Sequence, residues 1–158
     1  MTSPITFEIP GKPKALIRHR DRKYGGKYDP SKKDKADFLI QSMRYRPKEP
    51  IQGAVLLVCV FWMPIPKATS KGKRKVWQEF EVEAKFSGAI DINRYLSKCW
   101  PIAAPENIIH IVRPDTDNLV KLVSDALNGV FWVDDSQVQI MAIKLYSEHP
   151  RTQVEIRW

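Results

Sequence analysis

Ala54-Val55-Leu56-Leu57-Val58-Cys59-Val60-Phe61-Trp62-Met63 belongs to the longest uninterrupted apolar run in the chain, and it decides the architecture. Odd and even positions are equally apolar and are rich in β-branched and aromatic residues. That pattern predicts a central strand with both faces buried. The run is too short to span a bilayer, and Pro64 and Pro66 end it. Outward from it, Ile5–Pro10 alternates as an opening strand. Residues 137–146 read as a second strand that is apolar on both faces, through Val138, Ile140, Met141, Ala142, Ile143 and Leu145. Val154, Ile156 and Trp158 alternate as a last strand. Asp29-Pro30-Ser31 signals a helix start, with Ser31 as cap and Asp34 three residues on. This helix is expected to reach about Arg46, to bury Ala36, Leu39, Ile40 and Met43, and to be closed by Pro47 and Pro50. A basic helix is expected over residues 69–86, stopped by Ser87-Gly88. Residues 89–108 read as an irregular excursion with a helical turn around 94–99, and residues 108–112 as a short strand. The expected fold is α+β: a single two-layer domain over residues 1–158, with a mixed β-sheet packed against about three helices.

The chain has 158 residues, 18.3 kDa and a net charge of +8, with a pI near 9.5. The charge is lopsided. Residues 1–75 carry 18 Lys/Arg against 6 Asp/Glu, whereas residues 76–158 carry 8 against 12. One basic cluster runs through Lys12, Lys14, Arg18, Arg20, Arg22, Lys23 and Lys27, broken by Gly25 and Gly26 as a flexible loop is. The other is Lys71, Lys73, Arg74 and Lys75. Both suit a polyanion, and nucleic acid is the common one. Cys59 and Cys99 lack CxxC or Cys/His spacing, which excludes a disulfide scaffold and a structural zinc site. The N-terminus shows no basic-then-apolar leader, so the expected location is the cytoplasm, with no membrane partner.

The acidic half holds the chemistry. Arg113-Pro114-Asp115-Thr116-Asp117-Asn118 opens a helix to about Asn128, with Gly129 as its stop. Leu119, Leu122, Val123, Ala126 and Leu127 share one face, and Asp117, Lys121, Ser124, Asp125 and Asn128 share the other. Asp115 and Asp117 lie where free backbone N–H groups favour negative charge. Phe131-Trp132-Val133-Asp134-Asp135-Ser136 forms a turn before the next strand. If that strand packs beside the helix, Asp135 approaches the helix start. Each element has a plain reading by itself: a capping Asp-x-Asp, turn chemistry at Asp134-Asp135, and a solvated Lys121 paired with Asp117 or Asp125. The spacing is not that of an EF-hand, because Leu119 and Val120 stand where an Asp or Asn and a Gly belong. Together, carboxylates and a lysine joined to a basic half-chain describe a hard-metal site beside a phosphate track. Arg113, directly before the aspartates, joins Lys12, Lys14, Arg18, Arg20, Lys71, Lys73, Arg74 and Lys75 as candidate DNA contacts.

The run from Arg113 through Asp115, Asp117 and Lys121, then Asp125-Ala126-Leu127-Asn128-Gly129, then Trp132 to Val138, closely resembles the RusA family of Holliday junction resolvases. Phe7-x-Ile9-Pro10-Gly11-x-Pro13 and Met63-Pro64 resemble other parts of its pattern, whereas residues 89–108 are longer than the family's connection. The resemblance implies a homodimeric, Mg²⁺-dependent endodeoxyribonuclease, with Mn²⁺ as a substitute metal. Such an enzyme nicks opposing strands of a four-way DNA junction symmetrically, and it is often carried by phages or prophages in the bacterial cytoplasm. It assigns Asp115, Asp117 and Asp135 as metal-binding catalytic aspartates and Lys121 as the catalytic lysine, with Asp134 an accessory at most. Two other readings fit the residues: a non-catalytic basic nucleic-acid-binding module, and a metal-dependent nuclease for other branched or single-stranded DNA. Trp100, Phe131 and Trp132 are large apolar candidates for a dimer interface.

Overall fold

The computed structural model describes residues 3–17, 20–21, 25–83 and 108–158. The chain runs through β1 (Ile5–Pro10), β2 (Arg20–Asp21), β3 (Lys27–Tyr28), α1 (Lys32–Ser42), β4 (Val55–Pro64), α2 (Lys71–Glu83), α3 (Thr116–Leu127), β5 (Val138–Ser147) and β6 (Arg151–Arg157). One-turn 3₁₀ helices occupy Met43–Tyr45 and Asp135–Gln137. The main sheet has the order β1-β6-β4-β5. β4 pairs antiparallel with β6 and parallel with β5, and β6 pairs antiparallel with β1. The apolar run is thus an inner strand, as its two-faced pattern demands.

Alternation along β4 divides the core in two. Leu57, Cys59, Phe61 and Met63 face one side, where α1 and α3 pack with Phe38, Leu119, Leu122 and Leu127. Val58, Val60 and Trp62 face the other, with Trp77 of α2, Ile143 and Leu145. The α+β class and the mixed sheet are present, and α2 adds cover on a second face beyond the two layers expected. Arg151 fastens that helix. It pairs with Glu81 of α2 and Glu8 of β1 and lies 4.5 Å over the Trp62 ring. Ser147 donates to the second Glu81 oxygen at 2.7 Å.

Several expectations change. α1 stops at Ser42, and Met43–Tyr45 continues as a 3₁₀ turn. Its buried positions are Phe38 and Ser42, with Leu39 partly covered, while Ala36 is exposed and Ile40 and Met43 stay 70% and 37% exposed. Phe38 and Ile40 lie about 200° apart on the helix, so a one-sided helix buries one of them, and the larger ring wins. Ser31 precedes the helix without capping it through its side chain; its hydroxyl accepts from Ile17 N at 2.8 Å instead. The basic stretch expected as a plain loop contains the small β2–β3 pairing, with Gly25 and Gly26 at positive φ in its turn. Residues 108–112 form one bridge, Ile109 to Leu145, rather than a strand. β5 is an edge strand, and its first half leaves Ile140 49% and Met141 39% exposed. Ser124, expected on the polar face of α3, is buried. Phe131 and Trp132 are fully buried and belong to the core, not to an interface. Phe131 packs 6.0 Å from the Phe7 ring. Trp100, Cys99, the irregular excursion and the far end of the basic helix lie outside the described residues; Cys59 is free and buried.

Candidate active site

Five apolar residues on one side of α3 settle its rotation. Leu119, Leu122, Val123, Ala126 and Leu127 are all buried, and truncating a leucine at such a site costs about 2–5 kcal/mol. This leaves Asp117 and Lys121 facing out. Asp115 occupies the N-cap position in extended backbone, and Leu119 N bonds to its carbonyl at 3.2 Å. Its side chain makes no capping hydrogen bond. The plain capping reading therefore does not use up this carboxylate.

The turn before β5 is held by its own chemistry. Asp134 accepts from Ser136 N at 2.9 Å, and Asp134 N donates to Gln137 Oε1 at 2.8 Å, a reciprocal capping arrangement. The Ser136 bonds hold the Asp134 carboxyl below its ordinary value. Gln137 Nε2 donates to the Ile51 carbonyl at 3.1 Å and to that of Gly53. Asp134 is thus committed to the turn, and Asp135 is the aspartate left over.

Asp135, Asp117 and Lys121 come together. They line one cavity of about 380 Å³ between α3 and β5, whose remaining wall includes Val120, Val138 and Ile140. Asp115 stands outside that lining, at the mouth of the helix. Among the described residues, no three of His, Cys, Asp and Glu close on a single point as a preformed metal cage. The donors present are hard carboxylate oxygens, two of them facing one open cavity. That set suits a cation that keeps water and takes a phosphate oxygen as well.

Lys121 Nζ donates to Asp125 Oδ1 at 3.0 Å, one turn further on, so of its two possible partners the structure selects Asp125. Asp125 Oδ2 lies 3.9 Å from Lys35 Nζ of α1, which also pairs with Asp29.

Lys144 is the residue that periodicity alone does not pick out. It sits on β5, only 9% exposed, on the same side of the strand as Val138 and Ile140. Its Nζ donates to the carbonyls of Val112 at 2.9 Å and Pro114 at 2.6 Å, pinning the loop that delivers Asp115. Burial pushes its ammonium below the ordinary lysine value, while the charges of Asp115 and Asp117 pull it back up. The available signal is the one charged residue in a strand whose other members are apolar or uncharged.

The basic candidates divide. Lys12 and Lys14 are exposed on a segment docked to α3, where Leu16 N donates to Asn118 O at 2.8 Å. Arg113 is exposed on the loop before Asp115. Lys71, Lys73 and Lys75 are exposed on α2. Arg74 is occupied, donating to the carbonyls of Pro66 and Thr69 and pairing with Glu148 at 3.1 Å. Arg18 and the Arg20 side chain lie outside the described residues.

The family model described as Endodeoxyribonuclease RusA matches residues 10–157. An uncharacterized protein of Bacillus subtilis strain 168, YqaN, is 33% identical over 159 residues, covering 97% of this chain and 95% of that relative. The family match takes in α3, β5 and Asp115, Asp117 and Asp135, and the chain therefore belongs to the RusA endodeoxyribonuclease family, enzymes that act on DNA phosphodiester bonds.

Proposed function

We propose that this protein is a divalent-metal-dependent Holliday junction resolvase that acts as a homodimer, each subunit nicking one of two opposing strands of a four-way DNA junction. The observation that carries the reading is the shared cavity of Asp117, Asp135 and Lys121. In it, Asp117 and Asp135 would hold Mg²⁺, or Mn²⁺ in its place, with Asp115 beside them. A metal ion bound there supplies polarisation of the scissile phosphate and a more acidic attacking water.

The chain's own groups do the rest. Lys121 offers an ammonium to charge that builds on the phosphate or on the leaving oxygen. Val120, Val138, Ile140 and Ala142 make the apolar part of the lining, and Thr116 and Ser124 add hydroxyl-bearing residues beside the aspartates. Lys12, Lys14, Arg113, Lys71, Lys73 and Lys75 attract the backbone without reading its sequence. A two-fold pair of subunits matches a two-fold junction and its symmetric incisions. The Bacillus relative supports a bacterial setting, in keeping with a cytoplasmic, phage- or prophage-carried enzyme.

The test is a labelled synthetic four-way junction beside a linear duplex of the same sequence, each with Mg²⁺ or with EDTA, and with Asp117→Asn in parallel. Paired nicks in the junction alone, lost with EDTA and in the variant, are expected. Tight junction binding without cleavage under any divalent metal would leave a binding module and overturn the reading.

A further inference from the structure

Lys121 has a carboxylate on either side along α3, Asp117 one turn before it and Asp125 one turn after. Helix electrostatics favour an acidic partner on the N-terminal side at this spacing, which is Asp117. The structure has the opposite pairing: Lys121 Nζ bonds Asp125 at 3.0 Å. Asp125 is itself held from a second helix, because Lys35 of α1 lies 3.9 Å from its other oxygen and pairs in turn with Asp29. Asp29 is fixed by accepting from Ser31 N at 2.9 Å. The inner members are partly buried, with side-chain exposures of 25% for Asp125, 22% for Lys35 and 17% for Asp29, against 57% for Lys121. Their attraction is therefore screened less than that of a fully exposed pair.

We infer that Asp125, anchored by Lys35, is a positioning residue that draws the Lys121 ammonium away from Asp117. It keeps the Asp117 carboxylate open for a divalent cation and holds the ammonium at the rim of the cavity. This rests on the metal-dependent reading of that cavity. Removing the Asp125 charge lets Lys121 swing back to Asp117, where it competes with the metal.

The experiment measures Mn²⁺ affinity of the full chain without DNA, from the free-ion signal in electron paramagnetic resonance. Four proteins are compared: wild type, Asp125→Asn, Lys121→Met and the double variant. Asp125→Asn is expected to weaken Mn²⁺ binding about three- to tenfold, the scale of a partly exposed ion pair. In the Lys121→Met background the same change is expected to have almost no effect. A direct pull of the Asp125 charge on the metal, or a damaged helix, would persist in that background, so an undiminished loss there overturns the inference. Unchanged affinity in Asp125→Asn alone overturns it too. Asp125→Glu is expected to restore most of the affinity. Wild-type protein that binds no Mn²⁺ would sink the metal reading itself, and the inference with it, a result distinct from both others.

Discussion

Replacing Lys144 by Met tests how the aspartate loop is held in place. The ammonium makes two hydrogen bonds, to Val112 O and Pro114 O. Bonds with a charged partner contribute about 1.5–3 kcal/mol each. Two effects reduce the loss. The bond to Val112 O is only part-buried, so water replaces some of it once the lysine is gone. The methionine also escapes the desolvation that pushes the Lys144 pKa down. What remains is about 2 kcal/mol, which for a chain of this length lowers Tm by roughly 4–8 °C. Urea unfolding at neutral pH reads it directly, as a lower midpoint at constant slope. Junction cleavage is expected to fall in the same variant, because the loop that delivers Asp115 loses its tether. Lys144→Arg keeps a charge and donors but adds bulk in a buried site, so it should recover only part of the stability. An unchanged urea midpoint in Lys144→Met would refute the argument that this lysine pins the loop.

Two further predictions concern the opposite face of the sheet and its edge. His110 is buried beside Tyr146, and burial, with the nearby Lys144 and Lys12 charges, lowers its pKa below the ordinary histidine value. Between the folded and unfolded values the unfolded chain holds more protons, so stability should rise with pH through that window and level off above about 6.5. His110→Phe should flatten the rise in urea midpoint between about pH 5 and 7; equal slopes in both proteins would remove His110 as the cause. Arg151→Met strands Glu81, whose side chain is only 8% exposed, and should cost about 3–5 kcal/mol. Glu8→Gln, which removes the 54% exposed partner of the same arginine, should cost no more than about 1 kcal/mol. Equal losses in the two variants would mean that Arg151 does not serve the buried carboxylate.

Much of this protein was legible in its sequence wherever one element carried its own signal. The two-faced apolar run of β4, the buried stripe of α3 and the one-turn spacing of Asp117 and Lys121 follow from local periodicity, which a chain obeys before anything packs against it. The same holds for Asp134, whose bond to Ser136 spans two residues. Periodicity is silent about which neighbour covers a face. Apolar spacing on α1 pointed to Ala36, Leu39, Ile40 and Met43, and contact with the core buried Phe38 instead and left Ile40 exposed. β5 looked like an inner strand, yet the sheet order left its first half at an edge. Phe131 and Trp132 look surplus to the core along the chain, but in the fold they pack in one cluster with Ile51, Phe7 and Tyr45. Lys144 lies 30 residues from the Pro114 carbonyl it holds, and Lys35 lies 90 positions from Asp125. Such pairings exist only once separate elements have been brought together, so the residue types of the site can be read along the chain, while the placement of its charges belongs to the tertiary structure.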